Sequence, residues 1–258
     1  MNLKSIKILL DKKVDDYHRP FFIEQDPISI PHLFTKNQDI EIAGFFAAIF
    51  SWGNRKTIIN KSKDLLQRMN MQPHEFVLHH SAKDLKQLLG FKHRTFNEDD
   101  LFYCIHFLHK HYKKNESLEN AFSKSISIKD NNIEDGLKFF NNYFFEDEHL
   151  VRTEKHISTP AKNSACKRLN MFLRWMVRDN NENVDFGIWR KIKPHQLIIP
   201  LDVHVLRVSE KLGLLKNTKA NWKTAVALTE ILKILDSKDP VKYDFALFGM
   251  GVMENKIL

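Results

Sequence analysis

The sequence predicts an all-α protein of two helical lobes with a cleft between them. Apolar residues recur at helical spacing along most of the chain. Glycine is scarce (8) beside 20 phenylalanines, a balance that favours helices packed on aromatic rings over many tight turns. Alternating β-branched runs are few, which argues against a β-sandwich or a Rossmann sheet. A length of 258 residues suits one large domain or two compact lobes.

The elements follow in order. Leu3, Ile6, Leu9 and Leu10 alternate with lysines in a short amphipathic helix over 3–18. Pro20, Pro27 and Pro31 make 19–38 an extended connector. Asp39 is the expected N-cap of a helix over Ile40–Ser51, which is apolar all round and therefore buried; Gly53-Asn54 ends it. Thr57–Met69 sets an apolar stripe (Ile58, Ile59, Leu65, Leu66, Met69) against a basic face. Residues 73–89 give two short helices, and GFKHRTF (90–96) is a basic, aromatic break. Asn97–Asp100 supplies capping groups for a helix through Lys110.

The polar stretch 111–135 holds a short helix around Leu118–Phe122, and Ile133–Phe145 is the next. An irregular connector, 146–165, leads to a helix over 166–178 with Leu169, Phe172, Leu173, Met176 and Val177 as its buried stripe. A polar loop, a short segment at 187–191 and the Pro194–Pro200 connector precede a helix over 203–212. Trp222–Leu235 and Val241–Val252 complete roughly ten helices. The terminal segments, 1–50 and 215–258, are expected to share one lobe and 51–214 to form the other. There is no internal repeat.

A net charge of +8 suits a polyanionic partner, because each neutralised phosphate releases a counterion. Cys104 and Cys166 stand far apart, without a CxxC or Cys-His ligand set, so neither a zinc site nor an iron–sulfur cluster is expected, and no cofactor or metal. The first residues lack the apolar core of a signal peptide, and no run approaches ~18 apolar residues. A cytoplasmic, nucleoid-associated monomer without a membrane partner is the expectation.

Two residues carry the chemistry. Lys167 stands in the first turn of the 166–178 helix, where the helix dipole, together with burial beside Arg168, favours the neutral amine. Such an amine can attack the anomeric carbon of a nucleotide and form a Schiff base; a solvated lysine or a phosphate clamp is the plainer reading. Asp202 follows Pro200 and precedes the helix VHVLRVSEKLGLL. As an N-cap it stays ionised, and a carboxylate beside a scissile C1′–N bond stabilises an oxocarbenium-like sugar; a plain cap is the alternative.

The segments ACKRLNMFLRWMV and IPLDVHVLRVSEKLGL resemble the helix-hairpin-helix DNA glycosylase superfamily, which contains endonuclease III and the 8-oxoguanine glycosylases. By that resemblance Lys167 matches the catalytic lysine on the second helix of the hairpin. Asp202 matches the catalytic aspartate, and His204 and Arg207 the DNA-binding positions after it. The spacing of 35 from Lys167 to Asp202 resembles that of the archaeal 8-oxoguanine glycosylase branch. The whole chain also resembles an uncharacterised bacterial family, DUF2400, built around KRLNMFLRWMVR and DPVKYDFALFGMGV. The hairpin stretch STPAKNSACK has no glycine; Asn163 is the residue there that can adopt a left-handed conformation, and Lys162 and Arg168 can contact phosphate by charge.

Other segments fit the same picture through the resemblance. Trp52, Asn54, Arg55 and Lys56 follow the first buried helix, where they either touch DNA or form an aromatic core residue and a solvated basic turn. His93, Arg94 or Phe96 of GFKHRTF either plugs the gap left by an extruded base or packs. Met171, Trp222, Asp244, Phe245 and Phe248 either line a base pocket or belong to the core. The resemblance implies a DNA glycosylase with associated β-lyase activity on double-stranded DNA carrying a damaged base, 8-oxoguanine foremost. The alternatives are an inactive nucleic-acid-binding protein on the same fold, or a helical scaffold whose basic surface meets an acidic protein.

Overall fold

The computed structural model describes residues 2–178, 182–216 and 218–253. Among them the chain is all-α: the one β feature is an isolated bridge between His93 and Phe96. The helices are α1 (Leu3–Tyr17), α2 (Asn37–Phe50), α3 (Arg55–Arg68), α4 (Pro73–His79), α5 (Ala82–Lys86), α6 (Glu98–Tyr112), α7 (Asn120–Ser123), α8 (Glu134–Phe144), α9 (Lys167–Val177), α10 (Val203–Lys211), α11 (Trp222–Leu235) and α12 (Tyr243–Met253). None is long and apolar enough to cross a membrane. The connector expected to be extended over 19–38 instead coils into 3₁₀ turns at Pro20, Pro27 and Pro31, since proline fixes φ at a value such a turn accepts.

Two compact units form. The first comprises 1–22, 126–138 and 158–258; the second comprises 23–125 and 139–157. This partition differs from the expected 1–50 with 215–258 against 51–214. Both divisions put the terminal helices together, but α9 and α10 join them rather than the other unit.

In the first unit, α12 is the central element, packed against α1 and α10. The two glycines of FGMGV permit this. A Cβ on Gly249 would lie 2.4 Å from the Tyr17 ring, and one on Gly251 would lie 2.8 Å from His204 Cβ and 3.2 Å from the His204 carbonyl oxygen.

The second unit is built on phenylalanine. Phe122 and Phe140 stack with ring centroids 4.0 Å apart, and Phe107 lies 4.5 Å from Phe144. Helix α2 is buried along almost its whole length, as its all-apolar run predicts. Its one buried acid, Glu41, is 1% exposed yet satisfied by Tyr112 Oη (2.7 Å), Ser117 Oγ and the Leu118 amide (2.9 Å). Asp39 is not the N-cap of α2; that position is Lys36. Asp39 sits within the first turn of α2, and its Oδ1 accepts the His74 amide (2.9 Å), so it caps α4 instead. Asn97 and Asp100 form a capping box at the start of α6.

Candidate active site

Helix α9 is preceded by a turn held by two left-handed residues, Asn163 (φ 52°) and Cys166 (φ 48°). Asn163 takes the conformation anticipated for it, and Cys166 takes the same conformation one residue before Lys167. The Asn163 carbonyl accepts the Trp222 amide (3.2 Å) and its Oδ1 faces the Lys223 amide (3.5 Å), so the turn is fastened to the first turn of α11. Cys166 is buried, which pushes its thiol up to about 11 and makes it an inert packing group.

Lys167 is half-buried, and among the described residues its ammonium makes no hydrogen bond or ion pair. Asp202 caps α10: its Oδ1 accepts the amides of His204 (2.9 Å) and Val205 (3.0 Å), while Oδ2 has no hydrogen-bond partner among the described residues. Both groups act on a third. The Asp244 carboxyl on α12 is 5% exposed, and burial pushes it up to about 6. Arg174 pulls it down, the Asp202 carboxylate pushes it further up, and the Lys167 ammonium pulls it down. The two candidate catalytic groups therefore lie within electrostatic reach of one buried acid.

Behind Asp244 runs a chain of buried charge. Arg174 pairs with Asp244 and faces Asp185 at 3.4 Å; Arg178 pairs with Asp185 and grips both carboxylate oxygens of Asp239 (2.9 and 3.0 Å). Phe245 is fully buried in this network, with the Arg174 guanidinium 4.3 Å from its ring centre and His18 stacked on it at 4.2 Å. Burial, then the two arginines, drive the His18 imidazole down to about 3, so it is neutral. Sequence reasoning missed this network, having read α9 as amphipathic. Its signal is Arg174 and Arg178, four apart in a helix whose other positions from Leu169 to Val177 are all buried.

The remaining candidates of the first unit scatter. His204 Nδ1 and Arg207 Nη2 both reach the Gly251 carbonyl (3.2 and 3.1 Å), so they fasten α10 to the end of α12. Trp222 and Met171 are buried, and Trp222 Nε1 donates to Glu134 (2.8 Å); Phe248 is half-buried against His204. Lys162 and Asn163 are exposed. Arg168 is half-buried, and burial holds its guanidinium below the ordinary value.

Trp52, Asn54, Arg55, Lys56, His93 and Arg94 belong to the second unit. Asn54 is the N-cap of α3, accepting the Thr57 amide (3.2 Å); Arg55 is half-buried and Lys56 exposed. Of the two readings of GFKHRTF, His93 and Phe96 follow the packing one: they are core residues at 2% and 0% exposure. His93 is held there by one ring nitrogen: Nε2 meets the Phe50 carbonyl at 3.0 Å. Arg94 alone of the three candidates points outward, its guanidinium 4.4 Å from the ring centre of the half-buried Trp52.

A family model described as "Protein of unknown function (DUF2400)" matches residues 26–253. No curated protein and no solved structure matches the chain.

Proposed function

The chain belongs to the DUF2400 family, and we propose for it a DNA N-glycosylase with associated β-lyase activity, on a two-lobed helix-hairpin-helix fold. The observation that carries this reading is that a lysine ammonium without a hydrogen-bond partner and a capped aspartate both act on the charge of one buried acid, Asp244. A damaged nucleotide is swung out of the duplex, since its C1′ is shielded inside the stack. The Lys167 amine attacks C1′; the C1′–N bond to the base breaks, its electron pair leaves with the base, and the base takes up a proton. Asp202, through the oxygen not used in capping, stabilises positive charge on the sugar and accepts a proton from Nζ. Opening of the C1′–O4′ bond, with a proton delivered to O4′, leaves an imine between C1′ and Nζ. Loss of a C2′ proton then expels the 3′-phosphate. Asp244, which feels the charge of both groups, is a positioning residue that holds the local charge balance. Oxidised purine, 8-oxoguanine in particular, is the favoured substrate, and the setting is base excision repair at the nucleoid.

The test is incubation with duplexes carrying 8-oxoguanine, uracil, thymine glycol or an abasic site, with borohydride present. Wild type should form a covalent adduct on at least one duplex, and Lys167→Gln should form none while still binding DNA. An adduct that persists in Lys167→Gln removes the lysine from the mechanism. Duplex binding with no base release from any lesion makes the protein an inactive DNA-binding relative.

A further inference from the structure

The loop from Gly90 to Asn97 in the second unit is built in alternation. Phe91, His93 and Phe96 are buried, while Lys92, Arg94 and Thr95 face outward. Reciprocal amide–carbonyl bonds between His93 and Phe96 (2.8 and 2.9 Å) close it, with Arg94 left-handed (φ 57°) at the tip. The outward side chains are also held. Arg94 lies over Trp52, and a Cβ on Gly53 would come within 2.5 Å of the Arg94 Nη1, so glycine makes room for the guanidinium.

Arg152 arrives from a 3₁₀ stretch of the same unit and is fixed three ways. Nη1 donates to Asn97 Oδ1 (2.7 Å) and Asp100 Oδ2 (2.8 Å), and Nη2 donates to the Thr95 carbonyl (2.7 Å). Lys155 follows one turn later and is exposed. These residues line an open groove of about 550 Å³. Its cations are Lys92, Arg94, Arg152 and Lys155, and its one lining acid, Glu98, is engaged by the Gly90 amide. Asp100 lies beneath and partly offsets Arg152, and Asp99 is outside the lining, so the groove keeps a positive excess.

The geometry points to a phosphate-binding groove, in which the fixed Arg94 and Arg152 guanidinium groups receive the phosphate oxygens and Lys92 and Lys155 complete the charge. Guanidinium forks match phosphate oxygens in pairs, and forks already held in place lose little freedom on binding. The phosphate group belongs either to a nucleic-acid backbone or to a free phosphate compound. This inference stands apart from the Lys167 chemistry, which lies in the other unit.

The experiment compares the full chain with the Lys92→Ala/Lys155→Ala double variant and with Arg94→Ala. Both altered lysines are exposed, and Lys92 has no partner among the described residues, so thermal melts should coincide with wild type. One arm titrates a lesion-free duplex oligonucleotide over a range of salt. The other titrates inorganic phosphate by calorimetry. A fall of about tenfold or more in duplex affinity, with a salt slope shallower by roughly two in the double variant, assigns the groove to backbone phosphate. Unchanged duplex binding with phosphate heat lost in the variants assigns it to a free phosphate group. Wild-type behaviour of the variants in both arms overturns the inference.

Discussion

Arg174 on α9 donates to the carboxylate of Asp244 on α12, and both side chains are buried. This pair joins the helix that carries Lys167 to the acid on which Lys167 and Asp202 both act. Removing one member leaves a buried charge short of a partner. Asp244→Ala should lower unfolding stability by about 3 kcal/mol, the low end for a broken buried pair because Arg174 keeps Asp185. Asp244→Asn, which retains an acceptor oxygen, should lose roughly half of that. Urea unfolding at neutral pH measures both; equal stability of Asp244→Ala and wild type would remove the pair from the scaffold.

His18 and Asp244 drive stability with pH in opposite directions. Folded His18 binds its proton only near pH 3, whereas an unfolded histidine does so near 6.5. Between those values the unfolded chain is the better proton acceptor, so stability falls as pH drops from 6.5 towards 3. Asp244 titrates near 6 when folded and near 3.8 when unfolded, so it favours the folded state at low pH and loses that contribution as pH rises from 3.8 through 6. His18→Phe keeps a ring on Phe245 and should flatten the acid-side loss. Asp244→Asn should steepen it. Chemical denaturation at half-unit pH steps between 3.5 and 7.5 (on the order of the range these two groups span) separates them; parallel profiles for all three proteins would refute both assignments.

Asp202→Asn separates capping from chemistry. Asparagine caps helices about as well as aspartate, so stability should stay within about 0.5 kcal/mol of wild type. The carboxylate charge is lost, and covalent trapping on a lesion duplex should slow by roughly 10²–10⁴-fold. Undiminished trapping with intact stability would leave Asp202 only its cap.

Gly251→Ala tests the packing of α12. Alanine would favour the helix by roughly 1 kcal/mol in a solvated setting, but here its methyl meets His204 Cβ and backbone. Helix α10 must move, and a net loss of about 1–3 kcal/mol is expected. The same sign is expected for Gly249→Ala against Tyr17. A rise in melting temperature for either variant would contradict the close approach.

Features set by neighbours in sequence were legible. The N-caps Asn97 and Asp202 and the span of α11 were readable because capping and helical periodicity act over three or four residues. Asn163 was readable as a left-handed position because its side chain tolerates αL. Features set by distant partners were not. Asp39 has every mark of a local cap, yet the amide it meets belongs to His74, on another helix. A periodicity rule assigns Arg174 and Arg178 to solvent; their burial depends on Asp185, Asp239 and Asp244 arriving from later segments. His93 was left between packing and plugging for the same reason, since the carbonyl that holds it inside belongs to Phe50.

The burial of α9 on all sides has a kinetic corollary. From Leu169 to Val177 every side chain is buried, so the helix that carries Lys167 is packed on every face beyond its first turn. The amine nonetheless rides on four methylenes with no partner to hold it. The amine can therefore reorient by torsions about its own stem, on a timescale of about nanoseconds. In the chemistry proposed for it, the lysine needs no movement of the helix beneath it to reach a sugar carbon.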